Sequence, residues 1–177
     1  MVSQLVSADR TARGGAIEDT FRGGNGCRLG PARLGQLVRE AAEAGEWRGL
    51  VRFTAGRRWY HRLDLTESYE IWLLSWLPGQ HTGFHDHGDA AGAFAVAEGD
   101  LSERLARPGS VRVHQRDVGT GTLSSFGPLR LHDMGNDSAA PAVSVHAYSP
   151  PLTAMRKYEM TAAGLALVRT EQAELDW

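Results

Sequence analysis

The chain has 177 residues, with 19 basic side chains against 21 acidic ones and a formal net charge of −2. That length suits one domain able to bury a sizeable core, and the near balance of charge excludes a surface field built to attract nucleic acid or an anionic membrane. One cysteine, Cys27, excludes an internal disulfide and fits a reducing compartment. No apolar run approaches the roughly 18 residues of a spanning helix, and the first residues lack a basic-then-apolar signal layout. The expectation is a cytoplasmic protein that neither enters a membrane nor binds nucleic acid, as a monomer or small homo-oligomer.

Residues 1–30 are rich in glycine, serine and arginine, with Gly14-Gly15 and Gly23-Gly24-Asn25-Gly26 as breakers. A loosely packed arm is expected there, followed by a single domain over residues 31–177. Nothing beside Cys27 in the sequence marks it as a catalytic thiol. From Pro31 to Ala44 the pattern is helical: Leu34, Leu37, Val38 and Ala41 fall at i, i+3, i+4 and i+7, opposite Arg33, Arg39, Glu40 and Glu43. Pro31 suits a first helical position and Gly45 a stop.

Beyond Trp47 the period shortens. Segments near 49–53, 58–64, 69–76, 92–98, 101–106, 110–115, 121–126, 129–134 and 142–148 are short, apolar or alternating. Turn clusters such as Arg107-Pro108-Gly109-Ser110 separate them. Many short strands with frequent turns imply an all-β sandwich or barrel, with the helix packed outside it. Residues 161–177 read as either a short helix or a last strand covering the barrel edge.

Two stretches carry chemistry. In Gly83-Phe84-His85-Asp86-His87-Gly88 the imidazoles are two residues apart, so on a strand both face one point. That pair fits half of a metal site, and taken alone it also fits two surface histidines in a loop. In Pro141-Ala142-Val143-Ser144-Val145-His146-Ala147-Tyr148-Ser149-Pro150-Pro151, the period of two puts Ser144, His146 and Tyr148 on one face and Val143, Val145 and Ala147 on the other. Polar groups on the concave side of a small barrel need partners, so a chained network is expected, whether as a relay or as groups that merely satisfy one another.

The spacing of Gly79, His85, His87, Gly92 and Gly99 resembles the first motif of the cupin superfamily, and His132 with Asn136 resembles the His-x-x-x-Asn of the second. The resemblance implies an all-β, cupin-type barrel of jelly-roll character. Most cupins place a metal-binding glutamate where this chain has Gly92, so the implied metal ligands are three histidines, His85, His87 and His132, without a carboxylate.

Three-histidine cupins include the thiol dioxygenases, and residues 31–160 resemble the cysteine dioxygenase type I family. In that family a serine, a histidine and a tyrosine at alternate positions form a relay toward the iron, and Ser144, His146 and Tyr148 match it. Arg62, in Tyr60-His61-Arg62, matches the arginine that binds the substrate carboxylate. A guanidinium suits that task because it makes paired, charge-assisted hydrogen bonds. Animal members carry a cysteine cross-linked to the tyrosine. The aligned position here is Gly92, which leaves Tyr148 a free phenol. Asn136 is expected to brace the loop carrying His132, and His81 to line the mouth of the site without ligating. His61 and His114 are expected to be ordinary strand residues.

The resemblance therefore implies an Fe(II) enzyme whose partners are a small-molecule thiol and O₂, with L-cysteine oxidised to cysteine sulfinate. The alternatives are a 3-mercaptopropionate dioxygenase of the same fold, which tends to carry glutamine in place of Arg62, and a non-catalytic metal-binding cupin. Three histidines also suit zinc, which has no redox chemistry.

Overall fold

The structure, a computed structural model, describes residues 27–172. The arm expected over residues 1–30 therefore lies almost wholly outside the described residues. At its end, Cys27 is exposed and the Leu29 amide donates to Ser149 Oγ at 2.8 Å.

The helix α1 runs Pro31–Ala44, with Pro31 in its first turn and Gly45 as a left-handed C-cap. It buries the face its spacing predicts, Leu34 and Val38 fully and Leu37 and Ala41 in part. Each fully buried aliphatic contributes about 1.5–3 kcal/mol relative to exposure.

Eleven strands follow among the described residues: β1 Tyr60–Leu65, β2 Glu70–Trp76, β3 Phe84–Asp86, β4 Ala91–Glu98, β5 Asp100–Ala106, β6 His114–Gly119, β7 Leu123–Phe126, β8 Leu131–Gly135, β9 Ala142–Ser149, β10 Ala154–Thr161 and β11 Gly164–Gln172. They form two antiparallel sheets, ordered β1-β2-β9-β4-β7 and β11-β10-β3-β8-β5-β6. The two sheets are not closed by hydrogen bonds into one barrel, which refines the expected barrel to a sandwich of two facing sheets.

The first sheet has apolar packing on both faces. Ile71, Leu73, Ala93, Val143, Val145 and Ala147 pack outward against α1 and Trp47. Leu74, Trp76, Phe94, Val96 and Tyr148 point inward, to a second cluster with Phe126 and Met134. Strand β9, central in its sheet, is buried along its whole length. Its inner face carries Ser144, His146 and Tyr148, all buried.

The differences from expectation have physical causes. No strand forms at 49–53: a short 3₁₀ turn, Glu46–Gly49, precedes irregular chain. Carbonyls there are satisfied by side chains instead of a ladder, Arg52 O by Ser75 Oγ at 2.5 Å and Thr54 O by Gln80 Nε2 at 2.9 Å. The expected strand at 110–115 starts only at His114. Strand β10 was hidden by its polar composition. β11 fulfils the strand reading of the C-terminal stretch and covers the edge of the second sheet.

Candidate metal centre

Strand β3 is three residues long and lies between β10 and β8. Gly83 and Gly88 flank it with φ of 68° and 58°, left-handed values that other residues rarely adopt, so the chain can turn sharply on both sides of the two histidines. Register places His85 directly opposite His132. The ring centroids of His85 lie 4.8 Å from those of both His87 and His132, and His87 is 5.2 Å from His132. All three are buried, and one ring nitrogen from each can be chosen so that the set lies within 4.8 Å of one another.

The donor set fits a metal ion on the structure's own terms. His85 Nδ1 is 2.9 Å from the Gly83 carbonyl, which leaves Nε2 for the cluster. His132 Nε2 and both nitrogens of His87 are buried with no hydrogen-bond partner among the described residues. Buried polar atoms are seldom left so, and an ion in their midst accounts for them. Burial, and then the neighbouring imidazoles, hold His85 and His87 well below the usual histidine range, in the neutral form that ligates.

No carboxylate can join them from β4. Gly92 is paired with Phe126 on one side and Tyr148 on the other. A Cβ at Gly92 would lie 2.6 Å from Phe126 Cε2 and Cζ and 3.2 Å from Tyr148 Cδ1. The Phe126 ring fills that space and stacks on His87 at 5.7 Å.

The three polar residues of β9 form a chain. Ser144 Oγ is 2.8 Å from His146 Nε2, and the Tyr148 hydroxyl is 3.3 Å from His146 Nδ1. Trp76 Nε1 donates to Ser144 Oγ at 2.9 Å, a contributor that sequence reasoning missed. With that donor in place, the buried Ser144 hydroxyl finds its acceptor in His146 Nε2. His146 then carries its proton on Nδ1, toward the Tyr148 oxygen. Burial, with the Arg58 charge second, lowers His146 to about 3, so the ring is neutral. Burial pushes the Tyr148 phenol well above its usual value, keeping it protonated. The Tyr148 ring lies 4.6 Å from His87.

Tyr148 also lines a cavity of about 590 Å³, together with Arg58, Tyr60, Trp72, His81 and Lys157. His81 thus lines the cavity without joining the cluster, and the three clustered histidines are not among the cavity's lining residues. Its Nδ1 is 2.7 Å from Arg104 and its Nε2 is 3.1 Å from Asp137. Asn136 is fully buried, with Nδ2 donating to Trp76 O and Ala140 O, and Oδ1 accepting from Ser138. His61 stacks on Trp59, and His114 is exposed on β6.

The structure sets the expected carboxylate anchor apart from the cavity. Arg62 is not among the residues lining the cavity. Its guanidinium lies 5.3 Å from the Trp72 ring centroid, and its Nη1 is 4.0 Å from Glu70 Oε2. Arg58, four residues earlier, does line the cavity. Its guanidinium covers the Trp76 ring at 4.6 Å, and its Nε is sealed from solvent without a hydrogen-bond partner. Burial lowers the Arg58 pKa, opposed by the nearby phenols of Tyr148 and Tyr60. At the start of the expected segment 58–64, Arg58 gives no sequence signal of this, since Arg57 and Arg58 read alike.

A fold of two facing antiparallel sheets with three histidines gathered on the inner side is that of a cupin. Two solved structures share this fold. The TT1209 protein of Thermus thermophilus superposes with a TM-score of 0.53 at 20% identity, covering 60% of this chain and 95% of that one. A conserved protein with a double-stranded β-helix domain from Klebsiella pneumoniae gives 0.50 at 20% identity, covering 69% and 93%. Residues 35–161 match the family described as cysteine dioxygenase type I, and the chain belongs to that family. Cysteine dioxygenase type 1 of Bos taurus is 27% identical over 137 residues, which cover 70% of this chain and 68% of the bovine one.

Proposed function

We propose that the protein is a mononuclear non-haem iron thiol dioxygenase that converts L-cysteine to cysteine sulfinate, both atoms of O₂ ending on the sulfur. The observation that carries this reading is the chain Trp76–Ser144–His146–Tyr148, which ends with the phenol ring against His87 and on the wall of the cavity. A metal site serving only structure has no use for such a chain opening on a ligand-sized space.

His85, His87 and His132 would hold Fe(II), which supplies the redox chemistry that zinc lacks. The residues of the chain do the rest. Arg58, in place of Arg62, binds the substrate carboxylate, because of the two it is the one that lines the cavity. The fixed planar fork and permanent charge of a guanidinium suit that partner. His146, held neutral, orients the Tyr148 oxygen, and the protonated phenol donates a hydrogen bond into the cavity. Aromatic and apolar walls from Tyr60, Trp72 and Leu74 limit water around the reacting sulfur.

The deciding experiment is O₂ uptake by iron-quantified protein, with cysteine and 3-mercaptopropionate compared at equal concentration. Cysteine is expected to be the better substrate, with cysteine sulfinate as product and one O₂ consumed per thiol. His132→Ala should abolish both iron retention and uptake. Thiol-independent behaviour of fully iron-loaded protein would refute the reading, and a preference for 3-mercaptopropionate would replace the substrate while keeping the reaction.

A further inference from the structure

We infer that Glu103 is the positioning residue of the metal site: its carboxylate fixes His132 with the proton on Nδ1, so that Nε2 faces the metal, and strengthens that nitrogen as a ligand. This rests on the reading of His132 as a metal ligand and extends it to a residue on a different strand, which no sequence motif marks.

Glu103 is fully buried in the middle of β5. Strand β5 pairs with β8, and the register sets Glu103 opposite Met134, one diagonal from His132. From there Glu103 Oε1 lies 2.8 Å from His132 Nδ1. An ionised carboxylate only accepts hydrogen bonds, so the shared proton belongs to Nδ1. The opposite nitrogen, Nε2, is then bare, and it is the atom left buried without a partner. A hydrogen bond from a ligating imidazole to a carboxylate orients the ring and raises its basicity.

A buried carboxylate carries a desolvation cost that needs offsetting. Arg116 donates to Oε2 through Nε at 2.8 Å, and Arg130 reaches both oxygens through Nη2 at 2.9 and 3.0 Å. Each arginine is tied further. Arg116 Nη2 donates to Ser124 Oγ at 2.8 Å, and the Arg130 guanidinium lies 5.0 Å over Phe126, the ring that stacks on His87. The clamp thus reaches two of the three histidines, one by a hydrogen bond and one through an aromatic face. Two arginines on one carboxylate exceed what a structural ion pair requires, whereas they suit an anion that must stay charged beside a cation.

The test uses the full chain. Co(II) titration of metal-free wild type is expected to show one site. Glu103→Gln keeps the shape but loses the charge, and should bind Co(II) about 10- to 100-fold more weakly. Its iron form should have a higher Fe(III)/Fe(II) potential than wild type. Thermal unfolding of both metal-free proteins separates this from a loss of fold, which would lower Tm without moving the potential of the metal that remains bound. Independently of any variant, ¹⁵N spectra of the zinc-loaded wild type should show His132 protonated at Nδ1. Equal Co(II) affinity within about twofold and an unchanged potential, or a proton found on Nε2, would overturn the proposal. Wild type that takes up no metal at all would overturn the metal reading of the cluster itself, and this proposal with it.

Discussion

On one side of His132, Arg116 and Arg130 converge on Glu103, and both oxygens of that carboxylate are engaged. On the side of Ser144, His146 and Tyr148, Arg58 lies across the Trp76 ring with its Nε unpartnered among the described residues, beside a cavity of about 590 Å³. Both regions place guanidinium groups near the histidine cluster. The first is internally satisfied, so its charges serve the scaffold and His132. The second keeps a buried Nε without a partner among the described residues, on an arginine that lines the cavity, and that is where a substrate anion could be held. Partnering, more than charge or burial, separates a supporting residue from a recognising one.

The sharpest way to break this comparison is Glu103→Ala. It leaves His132 Nδ1 without its acceptor in a buried place and two part-exposed arginines without theirs, and should cost about 3–5 kcal/mol in urea unfolding. The paired variants Arg58→Gln and Arg62→Gln come next. Loss of a charged hydrogen bond of about 1.5–3 kcal/mol predicts a 10- to 100-fold rise in KM for cysteine with Arg58→Gln. Arg62→Gln should change KM less than about threefold, because its guanidinium is engaged at Trp72 and Glu70. The reverse ranking would return the carboxylate to Arg62.

Gly92→Ala probes the wall between the two regions. The added methyl meets the Phe126 ring at 2.6 Å, and overpacking there should cost about 1–3 kcal/mol, seen as a lower Tm. The smallest effect is on pH dependence. The folded pKa of His146 is lowered to about 3 from 6.5, so the unfolded chain binds a proton that the folded chain refuses between those values. Stability therefore falls as pH drops below 6.5 and is on the order of 1–2 kcal/mol lower at pH 5 than at pH 7 from this residue alone. His85 and His87 shift in the same direction. His146→Gln should flatten the slope measured by urea midpoints. An unchanged slope would place the titration elsewhere.

The features legible in the sequence were those with a local period. The helix at Pro31–Ala44 announced itself by its i, i+3, i+4 stripe and its flanking proline and glycine, and it forms over those residues. The alternation in Ser144-Val145-His146-Ala147-Tyr148 already divided β9 into an apolar outer face and a polar inner one, and the structure links the polar members. Where the chain satisfies its backbone through distant side chains, as at Arg52 and Thr54, the same apolar composition misleads, and no strand forms.

The sequence by itself determined the family resemblance, the strand-rich class, the histidine pair at 85 and 87, and the reason no carboxylate could ligate from position 92. These depend on residue type and short spacing, which the backbone's two-residue period converts directly into geometry. Tertiary structure alone decided that Arg58 and not Arg62 lines the cavity, that Trp76 donates to Ser144, and that Glu103 reaches His132. Each of these joins residues far apart in the chain, brought together by the register of neighbouring strands and the facing of two sheets. The register is set cooperatively by burial across the whole fold, so no local pattern around Arg58, Trp76 or Glu103 carries it.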